Sequence, residues 1–231
     1  MPNCFGDSNG NATVSVNGGT GPFTYTWQPN VSTLATATGL INGSYSVIIT
    51  DANQCSSTTN LVINEPTQVI LNTASTINVN CFGDNTGQAQ VAATGGIPPY
   101  SYQWSGSTDI DNTLENSYAG IYSVIVTDSH GCSTTTIATI SEPSLIQINQ
   151  NTVSATCGNT NGAIDLTVNG GVGPYTYLWN IPGRGSVSQV SNIGAGVYQV
   201  AVSDANGCSQ SVAIGVSNVG GPIVSIASLQ N

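Results

Sequence analysis

One block of about 77 residues occurs three times along this chain, so any fold it adopts must be a small unit made in triplicate. Cys4-Phe5-Gly6-Asp7 returns as Cys81-Phe82-Gly83-Asp84, and Cys157 opens a third copy. Gly18-Gly19 recurs as Gly95-Gly96 and Gly170-Gly171. The string from Pro22 to Trp27 (PFTYTW) becomes PYSYQW at 99–104 and PYTYLW at 174–179. Gly43-Ser44-Tyr45 matches Gly120-Ile121-Tyr122 and Gly196-Val197-Tyr198, and DANQC at 51–55 matches DSHGC at 128–132 and DANGC at 204–208. The period is 77 residues and then 76. A length of 231 residues would by itself suggest one or two domains, and the repeat overrides that prior.

Within each unit the pattern is that of strands. Ala12, Val14 and Val16 alternate with polar residues, as do Tyr45, Val47 and Ile49. Alternation over four to eight residues, bounded by Gly, Asn and Pro, reads as half-buried strands. Asp-Ala-Asn-Gly between two such runs reads as a hairpin turn. Six or seven short strands per unit, with turns at regular spacing, predict an all-β fold of three tandem β-sandwich modules in an elongated array. The expected boundaries follow Glu65-Pro66 and Glu142-Pro143, giving repeats over 1–66, 67–143 and 144–219. The stretch 220–231 reads as the opening strand of a next repeat or a tail, comparable to 67–71 and 144–148, whereas the first copy lacks that strand, as if cut from a longer array.

Composition narrows the function classes. There are 11 acidic residues, one Arg (Arg184), one His (His130) and no Lys, for a formal charge of −10. That excludes the basic footprint of a nucleic-acid binder and of a protein held on anionic membranes. No apolar run approaches the roughly 18–20 residues of a membrane helix, and no basic-then-apolar signal peptide opens the chain. Without lysine, Lys–Asn isopeptide staples are chemically impossible, which leaves stapling to cysteine.

Six cysteines allow 15 pairings. The separation inside each copy is 51 residues every time: Cys4 to Cys55, Cys81 to Cys132, Cys157 to Cys208. This predicts a bond within each module, tying its start to its late hairpin, and an oxidising compartment. Free thiols and a metal site are the rival readings. Zinc sites usually show close CxxC pairs, and none occurs.

The combined motif C-F-G-D-x-x-G, then G-G-x-x-P-[FY]-x-Y-x-W, then G-x-Y-x-V-x-V-x-D-x-x-x-C resembles the SprB-type repeat of Bacteroidetes surface proteins. The later segment is also similar to PKD-like sandwich domains. The resemblance implies very large cell-surface adhesins, exported by the type IX system in gliding bacteria, with one immunoglobulin-like sandwich per repeat. The third copy departs from the pattern, with Cys157-Gly158-Asn159 lacking the Phe and Asp, so any role of Asp7 and Asp84 is not shared by all modules.

Candidate sites compete with structural readings. Trp27, Trp104 and Trp179 read as core residues whose N–H finds a partner, and Tyr45, Tyr122 and Tyr198 as core or corner tyrosines. Phe23, Tyr100 and Tyr175 are the candidates for an aromatic ligand-binding row. Asp109, Asp111 and Glu115 form the densest acidic cluster and the candidate calcium site, without EF-hand spacing. Asp51, Asp128 and Asp204 stand at turn starts, where Asp caps its own backbone. His130 takes a turn position, and as the sole histidine it excludes a per-module Ser-His-Asp arrangement.

The expected function is non-catalytic: an extracellular stalk or spacer of a surface adhesin, needing no cofactor unless calcium. Its partners are neighbouring repeats. Direct binding of surface polysaccharide is one alternative. The other is a homo-polymer in which the segment 222–226 (PIVSI) donates a strand to the next copy.

Overall fold

The structure, a computed structural model, describes residues 1–222 and 224, the side chains of residues 73 and 74 excepted. Among them every regular element is a strand. The first repeat forms β1 (Gly10–Thr13), β2 (Thr24–Gln28), β3 (Thr36–Leu40), β4 (Gly43–Thr50) and β5 (Ser56–Ile63). The second forms β6 (Ile70–Ile77), β7 (Gly87–Thr94), β8 (Ser101–Trp104), β9 (Thr113–Ser117), β10 (Gly120–Thr127) and β11 (Ser133–Ile140). The third forms β12 (Gln147–Val153), β13 (Ala155–Thr156), β14 (Gly162–Asn169), β15 (Thr176–Trp179), β16 (Gln189–Ile193), β17 (Gly196–Ser203), β18 (Ser209–Val216) and β19 (Asn218–Val219).

Repeats 2 and 3 each fold into two three-stranded sheets, ordered β6-β7-β9 with β11-β10-β8, and β12-β14-β16 with β15-β17-β18. This is the architecture of tandem immunoglobulin-like β-sandwiches. In repeat 3, Ile164, Leu166, Val190 and Ile193 of one sheet meet Trp179, Val200, Val202, Ile214 and Val216 of the other in a single core. The alternation seen in the sequence is what makes this possible: in β14, Ile164 and Leu166 are buried while Asp165 and Thr167 face out. Burying each such side chain stabilises the module by about 1.5–3 kcal/mol.

Each tryptophan anchors a core and spends its indole N–H on a loop carbonyl. Trp27 is 0% exposed and donates to Leu34 O at 2.9 Å; Trp104 donates to Asp111 O at 3.1 Å, and Trp179 to Val187 O at 2.9 Å. Tyr45 and Tyr198 close the corner before their strands by donating to Ile41 O and Gly194 O.

Repeat 1 differs in one sheet. Among the described residues its β1 pairs with β3 alone, so this sheet has two strands where the sister repeats have three. Ala12, Val14 and Val16 were expected to lie in one strand, but β1 ends at Thr13. Its sisters β7 and β14 run eight residues because β6 and β12 pair along them. With no neighbour on that side, repeat 1 keeps one further bond, Val14 N to Ala35 O, and then leaves the ladder.

By density of contacts the chain divides into two compact units. The first comprises 1–77, 88–115 and 120–139, and the second 78–87, 116–119 and 140–231. Most of the expected opening strand in 220–231 lies outside the described residues.

Candidate functional site: a repeated cysteine clamp

Two local devices recur and carry the cysteines. The first is the opening turn. Asp7 N bonds back to Cys4 O at 3.1 Å and Asp84 N to Cys81 O at 3.2 Å. The acid that ends each repeat holds this turn: Gly6 N donates to Glu65 Oε2 and Gly83 N to Glu142 Oε2, both at 2.7 Å. Repeat 3 makes the same contact with an amide, Gly158 N to Asn218 Oδ1 at 3.0 Å.

The second device is the hairpin between the last two long strands. One carboxylate organises each. Asp51 Oδ1 accepts from Asn53 N and Cys55 N, Asp128 Oδ1 from His130 N and Cys132 N, and Asp204 Oδ1 from Asn206 N and Cys208 N, all at 2.8–2.9 Å. The other oxygen reaches the loop before the PFTYTW-type strand, at Thr20 N, Ile97 N and Val172 N. The bonds from Cys55 and Thr20 hold the Asp51 carboxyl below its ordinary value, and that from Val172 leads the same effect at Asp204. At Asp128 partial desolvation opposes the shift, and the backbone donors, Ile97 first, outweigh it. The turn reading of these three residues therefore holds.

The disulfides join these devices across repeats. Cys4 bonds to Cys132 and Cys81 to Cys208, each with Cα atoms 5.6 Å apart. Cys55 and Cys157 are free and exposed. This corrects the expected pairing of Cys4 with Cys55, Cys81 with Cys132 and Cys157 with Cys208. The reason is strand length. β4 and β5 pair from Gly43↔Ile63 at one end to Thr50↔Ser56 at the other, and the hairpin bearing Cys55 caps the latter end. The opening residues lie at the former, where Pro2 and Ile63 flank Gly10. Eight residues at roughly 3.3 Å each set the two ends over 20 Å apart, beyond any disulfide. The chain leaves each repeat beside its opening turn and starts the next repeat beside that repeat's hairpin, which brings Cys4 to Cys132 and Cys81 to Cys208. The sulfurs also lie against backbone: Cys132 Sγ is 3.3 Å from Asn3 O, and Asn206 Nδ2 donates to Asn80 O beside Cys208.

The remaining candidates fall differently. Asp109 Oδ2 accepts from Ser107 Oγ and Glu115 N, and Asp111 Oδ1 from Thr113 N. Among the described residues no three acidic, Cys or His side chains converge as a metal ion requires, so Asp109, Asp111 and Glu115 do not assemble the expected calcium cluster. Phe23, Tyr100 and Tyr175 are half-buried, and the two tyrosines donate to Gly95 O and Gly170 O. They do not present the exposed row that the polysaccharide reading called for. Phe5 at 54% and Phe82 at 50% are exposed, as is Tyr118 at 59%, and the two phenylalanines line clefts beside the two disulfides. Sequence reasoning missed these rings and the acids Glu65 and Glu142, although each Glu-Pro follows its opening cysteine by 61 residues.

The family model described as SprB repeat matches three segments, residues 2–32, 73–109 and 149–183. All three copies match the SprB repeat. Each matched segment begins ahead of the opening cysteine and runs past the core tryptophan, and the hairpins with Cys55, Cys132 and Cys208 lie outside the matches. No curated protein matches the chain. Solved structures similar to it include the N-terminal eight Ig domains of Down syndrome cell adhesion molecule isoform 1.30.30, at 12% identity and TM-score 0.43 over 85% of this chain and 33% of that one. Others are protocadherin gammaB7 EC3–6 (12%, TM-score 0.35, 96% and 71%) and mouse cadherin-23 EC22–24 (12%, TM-score 0.32, 90% and 89%). The chain spans a third of the first structure and about half of the next, Sidekick-1 immunoglobulin domains 1–5. SprB repeats closed by disulfides describe an extracellular, adhesin-type repeat region. No helix among the described residues is long and apolar enough to cross a membrane.

Proposed function

We propose that this region is a non-catalytic, load-bearing stalk of a bacterial surface adhesin, in which each SprB repeat is covalently clamped to the next. The observation that carries this reading is the pairing of Cys4 with Cys132 and Cys81 with Cys208. A bond inside a module protects that module and leaves its linker to bear force. A bond from one module's opening turn to the next module's hairpin bridges the linker instead. Each closes a loop of 127 or 128 residues, worth about 5 kcal/mol against the unfolded chain in the entropic account. Scarce charge suits the same role, since little of the stability rests on salt-sensitive surface pairs.

The reading is tested by pulling a single molecule between residues 4 and 208. When oxidised, the covalent path runs through both disulfides and the 51 residues from Cys81 to Cys132, so full unfolding extends it to about 180 Å. After reduction the path is 204 residues, about 700 Å. A stalk should hold the short limit at forces that extend the reduced chain. Equal extension with and without reductant contradicts the proposal.

A further inference from the structure

Phe23, Tyr100 and Tyr175 do not form an exposed aromatic row, but another ring recurs in the open. Phe82 follows the opening cysteine of repeat 2, Phe5 holds the same place in repeat 1, and the two are exposed to nearly the same extent. Phe82 stands mid-chain with a repeat on either side, so its exposure belongs to the folded array. The ring is not what closes the turn. Repeat 3 closes the same turn without one, through Asn159 N to Thr156 O at 2.9 Å and Gly158 N to Asn218 Oδ1 at 3.0 Å.

Each ring forms one wall of a cleft, and the two clefts correspond residue by residue. The cleft of about 330 Å³ beside Phe82 takes Ser144 from the opening segment of repeat 3, and Ser209 and Gln210 from the start of β18. The cleft of about 310 Å³ beside Phe5 takes Thr67, Ser133 and Thr134 from the matching places in repeat 2. Cys81–Cys208 lines the first and Cys4–Cys132 the second. Each cleft lies wholly inside one compact unit. Apart from half-buried Thr134, these hydroxyl and amide residues are exposed, so each ring stands over polar groups that a ligand can reach.

This composition selects a class of ligand. The face of an aromatic ring carries negative π density and attracts polarised C–H groups laid flat on it. Serine, threonine and glutamine offer both donors and acceptors, as neutral hydroxyl partners require. A sugar residue presents both at once, with C–H groups on its face and hydroxyls round its rim. Among the described residues neither cleft is lined by a cation that would balance a sulfate or a uronate, since the chain has no Lys and Arg184 lies elsewhere. Asp84 in the Phe82 cleft adds repulsion. Small-molecule sites run from about 300 to 1,000 Å³ and protein interfaces need about 800 Å² a side, so clefts of this size suit a sugar rather than a folded partner.

We propose that each clamp is also a binding site for a neutral polysaccharide. Phe5 or Phe82 stacks on the face of one sugar residue, and the hydroxyl and amide side chains of the following repeat hold its hydroxyls. Two repeats build the site together, so it is complete only where an opening turn has met the next hairpin. Successive sites along an array bind one polymer at several points, and avidity makes up for the weakness of each. This goes beyond the stalk reading, because the repeats that bear the load also grip.

The test is affinity electrophoresis of the oxidised full chain through gels containing dextran, galactomannan or hydroxyethyl cellulose, with alginate as the anionic comparison. At least one neutral polymer should retard the chain, and alginate should not. Phe5→Ala and Phe82→Ala should each raise the polymer concentration for half-retardation by about threefold or more, and the double variant by about tenfold or more. Replacing both rings by Trp, which keeps a stacking face in each cleft, should leave retardation in place. Leu178→Ala, which removes an exposed side chain outside both clefts, should change nothing. Mapping Cys4–Cys132 and Cys81–Cys208 in every variant shows that the clamps have closed. Passage unretarded by all three neutral polymers overturns the proposal, as does equal retardation by alginate. So does retardation indifferent to the double alanine variant, or retention by a proline-rich peptide in place of the polymers. If loss of both rings only speeds reduction of the disulfides, the rings are shields for the clamp and the proposal falls. Extension of a single chain under load needs no polymer, so the stalk reading stands or falls separately.

Discussion

At the scale of single residues, the three hairpins show how one position can be made well twice and less well once. The residue before the hairpin cysteine has positive φ in each repeat: 85° at Gly131, 83° at Gly207 and 68° at Gln54. Glycine takes this conformation freely, whereas a side chain costs about 1–2 kcal/mol there. Part of that gain is offset because glycine frees the unfolded chain. Gln54→Gly should therefore stabilise repeat 1 by about 0.5–1 kcal/mol, seen as a raised urea midpoint for the transition reported by Trp27 fluorescence. An unchanged or lowered midpoint would mean that Gln54 makes compensating contacts. Much at this scale was legible in the sequence. Asp51, Asp128 and Asp204 were readable as turn caps because an aspartate two and four residues before backbone donors has few other uses. Trp27, Trp104 and Trp179 were readable as core because they follow alternating aromatics. Phe5 and Phe82 were not legible as exposed rings, since a ring in a turn can face either way and only the cleft decides.

Among the elements, the opening strand is the piece that defines the module. β6 and β12 are admitted because Gly95 and Gly170 offer no side chain where Gln68 O and Leu145 O must pass. Gly95→Ala should thus cost at least about 2–3 kcal/mol, since backbone cannot give way as a flexible side chain does. Gly18→Ala should cost only the strain of positive φ, about 1 kcal/mol. Parallel denaturation of the two variants separates these outcomes, and equal losses would show that conformation, not space, selects glycine here. Strand alternation and hairpin chemistry made the sandwich legible from the sequence. The early end of β1 was not, because a strand's length depends on what lies beside it. Ala12, Val14 and Val16 carry the same alternation as their sisters and still leave the ladder after Thr13.

At the level of the whole molecule, the cysteine pairing shows where periodic sequence information runs out. A spacing of 51 within each copy is matched by an equally regular spacing of 128 and 127 between consecutive copies. In an array, adding one period changes nothing that a sequence can reveal, so strand length and chain direction had to choose. The choice is checkable without any structure. Mass mapping of a chymotryptic digest of the oxidised, denatured chain should find peptides joining Cys4 to Cys132 and Cys81 to Cys208, with Cys55 and Cys157 unlinked. Pairing within repeats would instead join Cys4 to Cys55, Cys81 to Cys132 and Cys157 to Cys208.

The two rings closed by these disulfides overlap between Cys81 and Cys132, and together they enclose every peptide bond from Cys4 to Cys208. A single backbone nick anywhere in that stretch, including one at Arg184, the only tryptic site, leaves the molecule in one covalent piece. Bonds confined to each repeat would have left the stretches 55–81 and 132–157 as unprotected joints. The cross-repeat pattern makes the chain redundant like a spliced rope, in which a cut fibre is carried by its overlap with the next. For a protein exposed to proteases outside the cell, damage at one point then need not part it.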